Sequence, residues 1–331
     1  MPVKNLWPHP KAGDKVLWIR LSAFGDVLQA AASAHRFRLK YPDVSLTFLT
    51  KAGYADILKI QPYVDDLILW DIKKRPFDFF RVLREVRERR FDWLFSMHRV
   101  FSSALIALFS GIPHRYGYNR GMQFCYKSTH YEFFSTASVD LDNRDIPSIF
   151  TTQEGREEAR NLLAPLPQKK LFAVIGASKP QKFWPVRHWI EFLRSILPDG
   201  WGVVLNGHGD EEAKTAKSIE DALGSSAVLN LVGRMSFPLN AAVAEASTVA
   251  VGNDTGPLHL ASLVGTPTLG FFGVTDAYAV NFRMPWFRDI KVSCPLVGCW
   301  NYSCPKECLA DITPDQAARA FRSFVSEVLP S

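Results

Sequence analysis

Short apolar runs rich in branched and aromatic residues recur along the chain, and each gives way to a longer stretch whose apolar residues return every three to four positions. KVLWIRL (15–21), VSLTFLT (44–50), DDLILW (65–70) and FDWLFSM (91–97) read as strands of a first series. A polar middle, VDLDNRDIPSIFTTQEGREEARN, separates it from a second series: LFAVIGAS (171–178), WGVVLNG (201–207), AVLNLVG (227–233), TVAVGND (248–254) and PTLGFFG (267–273). Helical periodicity between the later strands starts near Pro185, Glu211, Pro238 and Gly256. Strand–helix alternation of this kind predicts parallel sheets with helices on both faces, because parallel neighbours need crossover connections. Two series predict an α/β protein of two doubly wound domains, residues 1–160 and 161–331, facing across a cleft, with the last helix able to pack back on the first domain.

At 331 residues, 47% hydrophobic and 22% charged, the chain is long enough for about two cores. The amino-terminal MPVKNLWPHPKAGDKVLWIR lacks an apolar secretory core, and no segment holds about 18 uninterrupted apolar residues. The expectation is therefore a cytoplasmic protein, in which five cysteines stay as thiols. A net charge of +6 and a pI near 9.0 suit an anionic partner without naming it.

Candidate chemistry gathers where strands end and helices begin, the face on which open α/β sheets bind ligands. In GNDTGPLH, Asp254 or Thr255 can cap the next helix, Gly256 permits close backbone approach and Pro257 suits a first helical turn. The free first-turn amides there form an anion site; a well-capped structural helix is the plain alternative. GASKPQKFWP supplies Ser178, Lys179 and Lys182, with Trp184 read as packing. LNGHGDEE places Glu211 where a carboxylate can accept from ribose hydroxyls, or can simply complement a helix dipole. RLSAFGDVL puts Asp26 at a helix start, as an N-cap or as a carboxylate held at the cleft.

GNDTGPLHLASLVGTPTLGFFG, with KFWPVRHW and RLSAFGDVL, resembles glycosyltransferase family nine, the heptosyltransferases that build the inner core of lipopolysaccharide, along almost the whole chain. The resemblance implies a GT-B fold of two Rossmann-like domains, the second binding the donor ADP-L-glycero-β-D-manno-heptose and the first binding a Kdo-containing lipid A–core acceptor. It implies no metal, cofactor or nucleic acid. By the same resemblance Asp26 is the general base, Lys182 meets the donor diphosphate, and Ser178 occupies a neighbouring hydroxyl position. Glu211 takes the ribose position, with Glu212 nearly as suitable, and Asp254, Thr255, Gly256 and His259 match the donor-binding block. GRMSF (233–237), centred on Met235, is expected to contact adenine through its backbone, and Arg99 and Arg120 to meet acceptor carboxylate or phosphate.

CPLVGCWNYSCPKECL spaces Cys294, Cys299, Cys304 and Cys308 by four, four and three residues, unlike the tight pairs of zinc sites, so packing thiols are expected. KKRPFDFFRVLREVRERR (73–90) sets eight basic residues against three acidic, either as a solvated amphipathic helix or as a peripheral contact with anionic membrane. The lone Asp-Thr-Gly lacks the second aspartate that an aspartic protease requires. A nucleotide-sugar hydrolase or epimerase, or a non-catalytic sugar-nucleotide binder, remains the rival class; release or rearrangement of sugar without acceptor would reveal it.

Overall fold

The computed structural model describes residues 8–71, 78–118, 121–136, 146–280 and 284–329, and within them every strand pairing is parallel. The chain divides into two units, Met1–Asn143 and Arg144–Ser331.

In the first unit β1 (Lys15–Ile19), β2 (Ser45–Thr50), β3 (Asp66–Leu69), β4 (Trp93–Ser96) and β5 (His114–Gly117) lie in the order β3-β2-β1-β4-β5. Alternating residues of these strands serve opposite faces. Trp18 and Phe95 pack on one side against Phe37 of α1 (Phe24–Lys40) and Phe134 of α5 (His130–Thr136). On the other side Leu17, Ile19 and Leu94 join a core with Val82 and Val86 of α3 (Phe79–Arg89) and Ile106 of α4 (Phe101–Phe109). The short helix α2 (Ala55–Lys59) connects β2 to β3.

The second unit has the sheet order β11-β10-β9-β6-β7-β8, with β6 (Lys169–Val174), β7 (Trp201–Asn206), β8 (Val228–Asn230), β9 (Val249–Asn253), β10 (Thr268–Phe272) and β11 (Phe287–Lys291). Its helices are α6 (Gln153–Leu163), α7 (Val186–Ile196), α8 (Asp210–Leu223), α9 (Phe237–Glu245), α10 (Gly256–Val264), α11 (Ala277–Val280) and α12 (Pro314–Val328). Trp184, Trp189, Phe192, Phe271 and Phe321 form the centre of one core face. Trp184 is thus a packing residue, its indole donating to the Ile312 carbonyl at 2.8 Å.

Both units were legible as strand–helix series, with two strands added at the edges. The edge strands β5 (HRYG) and β11 (FRDIK) carry no apolar run, since an edge strand needs only one buried side and tolerates charge on the other. The boundary falls at residues 143/144 rather than 160/161 because α6 packs on α9 and the Ser148 and Ile149 amides donate to the Leu263 carbonyl. The last helix, α12, packs on α7 and β11 of its own unit, with Arg322 paired to Asp199.

Strand order reverses between β1 and β4 in the first unit and between β6 and β9 in the second, the switch points at which such sheets open a crevice. Gly252 is needed at the second, because a Cβ there would collide with the Val174 carbonyl of β6.

Three histidines shielded from solvent to different degrees give the first unit an acid liability. Burial, reinforced by nearby cations, holds His35, His98 and His130 down to about 4. Unfolded histidine takes up its proton near pH 6.5, so between about 6.5 and 4 the unfolded chain binds more protons and stability falls as pH falls. A declining thermal midpoint across that window, followed by circular dichroism, is the expected result; a flat one would contradict the buried neutral state.

Candidate active site

Asp26 lies just after β1, beside the first switch point, on the opening turn of α1. It is the third helical residue rather than the N-cap, a position held by Ala23, whose amide donates to Asp26 Oδ2 at 3.0 Å. The Asp26 carboxylate also pairs with the Arg20 guanidinium, which donates in turn to the Met97 carbonyl. The Arg20 side chain is 16% exposed and that of Asp26 46%, so the cation is sunk while the carboxylate stays open to a solvent-borne partner. Burial lowers the Arg20 pKa, and Asp26 opposes that shift.

His98, next after β4, feels the charges of Arg20, Lys51 and Asp26, and His130 those of Arg99 and Arg20. Both imidazoles are held neutral, and the Nδ1 atom of each is buried without a hydrogen-bond partner among the described residues. Arg99 is exposed and stands 5.5 Å over the Tyr118 ring. Arg20, Lys51 and Arg99 therefore give this edge a positive field around one carboxylate, suited to an anionic molecule. Arg120 lies outside the described residues.

The second edge is built around Asp254. β9 ends at Asn253, a buried asparagine whose amide donates to the Ile175 and Gly176 carbonyls at 2.8 and 3.3 Å and so ties the β6 exit loop to β9. Asp254 follows, almost wholly buried, and its carboxylate takes the Lys182 ammonium at 2.6 Å, His259 Nε2 at 3.0 Å and the Thr275 hydroxyl at 2.5 Å. Burial raises the Asp254 pKa, but the hydrogen bond and charge of His259, with those of Lys182, outweigh it and hold the carboxyl far below the usual range. Asp254 does not cap α10. The N-cap is Thr255, whose side chain makes no capping bond and whose hydroxyl is buried with no partner among the described residues. With proline at 257 the α10 opening turn presents the Gly256 amide.

Lys182 sits on the 3-10 turn Pro180–Lys182 after β6. An ammonium has three donors; the Asp254 carboxylate and carbonyl take two, at 2.6 and 3.3 Å, which leaves one for an incoming anion. Ser178 is exposed on the same exit loop.

Of the two neighbouring glutamates, Glu212 is the one that turns inward. Its carboxylate accepts from the Ala177 and His208 amides, and burial raises its pKa. Gly176 and Gly207 flank it so closely that a side chain at either would strike the carboxylate. Glu211 points to solvent and pairs with Lys214. The helix phase decides this: both follow β7 in sequence, but only one faces the strand ends. Met235, half-buried beyond β8, lies on the loop tied back by the Gly233 amide to the Gly207 carbonyl.

Since β9, β6, β7 and β8 are adjacent, Asp254, Lys182, Ser178, Glu212 and Met235 line consecutive exits of one sheet. Two members escaped sequence reasoning. Asn253 was signalled by a polar residue ending a buried apolar strand; Thr275, reaching Asp254 from beyond β10, had no signal except its place after a strand.

The described residues contain no disulfide and no group of three or more His, Cys, Asp or Glu side chains able to hold a metal ion. The loop bearing Cys294, Cys299, Cys304 and Cys308 braces the second edge: Gln181 donates to the Cys304 carbonyl at 3.0 Å, and the Trp300 amide to the Val274 carbonyl at 2.8 Å.

Two parallel doubly wound units, each with polar side chains at its switch point, are the architecture of the GT-B fold. The chain belongs to glycosyltransferase family 9 (heptosyltransferase), whose profile matches residues 79–306. It is 23% identical to lipopolysaccharide heptosyltransferase 2 of Salmonella typhimurium over 95% of this chain and 99% of that one. A family 9 glycosyltransferase structure from Veillonella parvula superposes with a TM-score of 0.81 at 17% identity, over 95% and 97% of the two chains. The structure of E. coli ADP-heptose lipopolysaccharide heptosyltransferase II gives 0.73 at 22% identity, over 95% and 99%.

Proposed function

We propose that this enzyme transfers heptose from ADP-L-glycero-β-D-manno-heptose to the Kdo-containing inner core of lipopolysaccharide, with inversion at the anomeric carbon. The observation that carries the reading is the buried Lys182–Asp254–His259 cluster beside the opening turn of α10, a cation and a helix amino end at one switch point. Family membership and relatives named as heptosyltransferases give the sugar. The second unit is the donor unit in this reading and the first the acceptor unit.

The acceptor oxygen attacks the anomeric carbon as Asp26 takes its proton, and the bond to the diphosphate breaks. Lys182 and the Gly256 amide meet the charge that grows on the leaving ADP, the electrostatic contribution that is usually largest in such reactions. Asp254 keeps Lys182 and His259 in place, a role that suits a carboxylate better than contact with the diphosphate, which it would repel. Thr255 lies within the same turn, Ser178 and Glu212 serve donor hydroxyls, and the Met235 loop serves the adenine. Arg99 and Arg120 serve acceptor anions.

The enzyme works in the cytoplasm against the inner membrane, where a lipid-linked acceptor is met. No helix among the described residues is long and apolar enough to cross a membrane, so the contact proposed is peripheral.

Mass spectrometry of lipopolysaccharide from a strain lacking the protein tests the function: the core is expected to lack a heptose and everything attached beyond it. An intact core would overturn the reading. For the donor unit, titration calorimetry of a 144–331 fragment with ADP is expected to show binding. Within the full chain, Glu212→Ala should weaken ADP by about tenfold and Glu211→Ala by less than about twofold, in keeping with the loss of one charge-assisted hydrogen bond against none. Equal effects would remove Glu212 from the site.

A further inference from the structure

Most large apolar residues of the first unit are buried, yet four phenylalanines stand out on one cluster of elements: Phe80 (75% exposed), Phe101 (64%), Phe109 (46%) and Phe124 (68%). They lie on α3, α4 and the 3-10 turn Gln123–Cys125; α3 packs on α4, and α4 packs on that turn. The inward faces of α3 and α4 are used, Val82, Leu83 and Val86 joining Ala104, Ile106 and Ala107 in the unit core, and the outward phenylalanines lie outside that core.

From 78 to 90 the chain carries five arginines, one aspartate and two glutamates; Arg81, Arg84 and Arg89 are paired with Asp78, Glu85, Glu88 and Asp66, while Arg87 and Arg90 have no acidic partner among the described residues. Phe80, Arg84 and Arg87 recur at four and three residues and so share a stripe of α3. Arg87 Nε donates to the Phe109 carbonyl at 2.7 Å, joining that stripe to the end of α4. Beside this junction a cavity of about 250 Å³ is lined by Arg87, Arg90, Phe91, Asp92 and Ile112. The Asp92 carboxylate accepts from the Lys15 amide at 2.8 Å and keeps its charge, so two guanidiniums face one carboxylate in a cavity too small for a drug-sized ligand.

We propose that the α3–α4 face docks on an anionic phospholipid bilayer, with Arg87 and Arg90 seating a headgroup phosphate while the phenylalanines enter the interfacial zone. This deepens the peripheral contact proposed above and rests on it for its purpose, though not for its test. Scattered aromatic rings beside unpaired cations are the composition of a surface that lies on lipid: the rings gain from burial, and each cation near an anionic surface adds attraction.

Flotation of the full-length protein with vesicles of phosphatidylethanolamine containing about one-third phosphatidylglycerol tests the docking. Binding is expected to the mixed vesicles, to fall as salt is raised, and to be lost in pure phosphatidylcholine. The double variant Phe80→Ser, Phe109→Ser should bind at least about tenfold more weakly, and Arg90→Glu should weaken binding and flatten its salt dependence. All three positions are exposed, so circular dichroism should report native folding. Transfer to a water-soluble acceptor fragment should be unchanged in these variants, while transfer to vesicle-borne acceptor falls. No vesicle binding by the unaltered protein, equal binding by the variants, or a solution dimer that the double variant dissociates without any lipid effect would each overturn the proposal. Vesicle binding by a protein that transfers no heptose would leave the docking standing and overturn only the transferase reading.

Discussion

Asp26→Asn is expected to cut heptosyl transfer by about a hundredfold or more while leaving ADP-sugar affinity within about twofold. Asparagine keeps the size of the side chain and an oxygen that can accept from the Ala23 amide, so the opening turn of α1 retains its local hydrogen bond. What disappears is the carboxylate that pairs with Arg20 and that we propose receives the acceptor proton. Arg20 loses its counter-charge but keeps its bond to the Met97 carbonyl, so some stability is lost while the fold persists. Donor affinity survives because every donor residue belongs to the other unit. Transfer within a few-fold of the unaltered enzyme, measured on a preparation shown to be folded, would assign Asp26 to the helix turn alone.

Lys182→Ala is expected to cost on the order of 2 to 4 kcal/mol of transition-state stabilisation, read as kcat/KM for the donor. The mutation removes the cation with one donor to spare but leaves Asp254 held by His259 and Thr275, so the fold should persist. Asp254→Ala should behave differently. It leaves Lys182 and His259 without their carboxylate, and loss of one partner of a buried pair typically costs about 3 to 5 kcal/mol of stability. The pH dependence has a definite sign. The folded carboxyl is held below its unfolded value near 3.9, so its contribution is complete above that pH and disappears as pH falls towards the lower folded value. An Asp254→Asn protein should therefore lose stability at neutral pH yet converge on the parent in strong acid, as followed by thermal melts. Parallel curves at all pH values would contradict the assigned ion cluster.

The sequence carried the fold where burial is two-sided. KVLWI, SLTFLT and WGVVLN are buried along nearly their whole length because helices cover both sheet faces, and their mostly apolar runs stand out. HRYG and FRDIK are strands only because a neighbour lends them hydrogen bonds at an edge, a tertiary fact that leaves no local mark. The candidate site was legible to the level of segments, since each lies after a strand, but not always to the level of the side chain. The choice between Glu211 and Glu212 depends on the phase of α8, and the partners of Asp254 on the loop after β10. Asp26 was read as an N-cap or a cleft carboxylate, and its third-position geometry depends on the chain bending at Ala23, which no residue pattern announces.

Movement of heptose from an ADP donor to an acceptor hydroxyl is tested most directly by incubating the purified enzyme with ADP-L-glycero-β-D-manno-heptose and a Kdo-containing acceptor, then following ADP release together with the acceptor's mass and new anomeric configuration. One heptose added for each ADP released, in the linkage inverted from the donor, is expected, with no appreciable release when the acceptor is left out. ADP and free heptose formed at the same rate with or without acceptor, and an acceptor of unchanged mass, would contradict it.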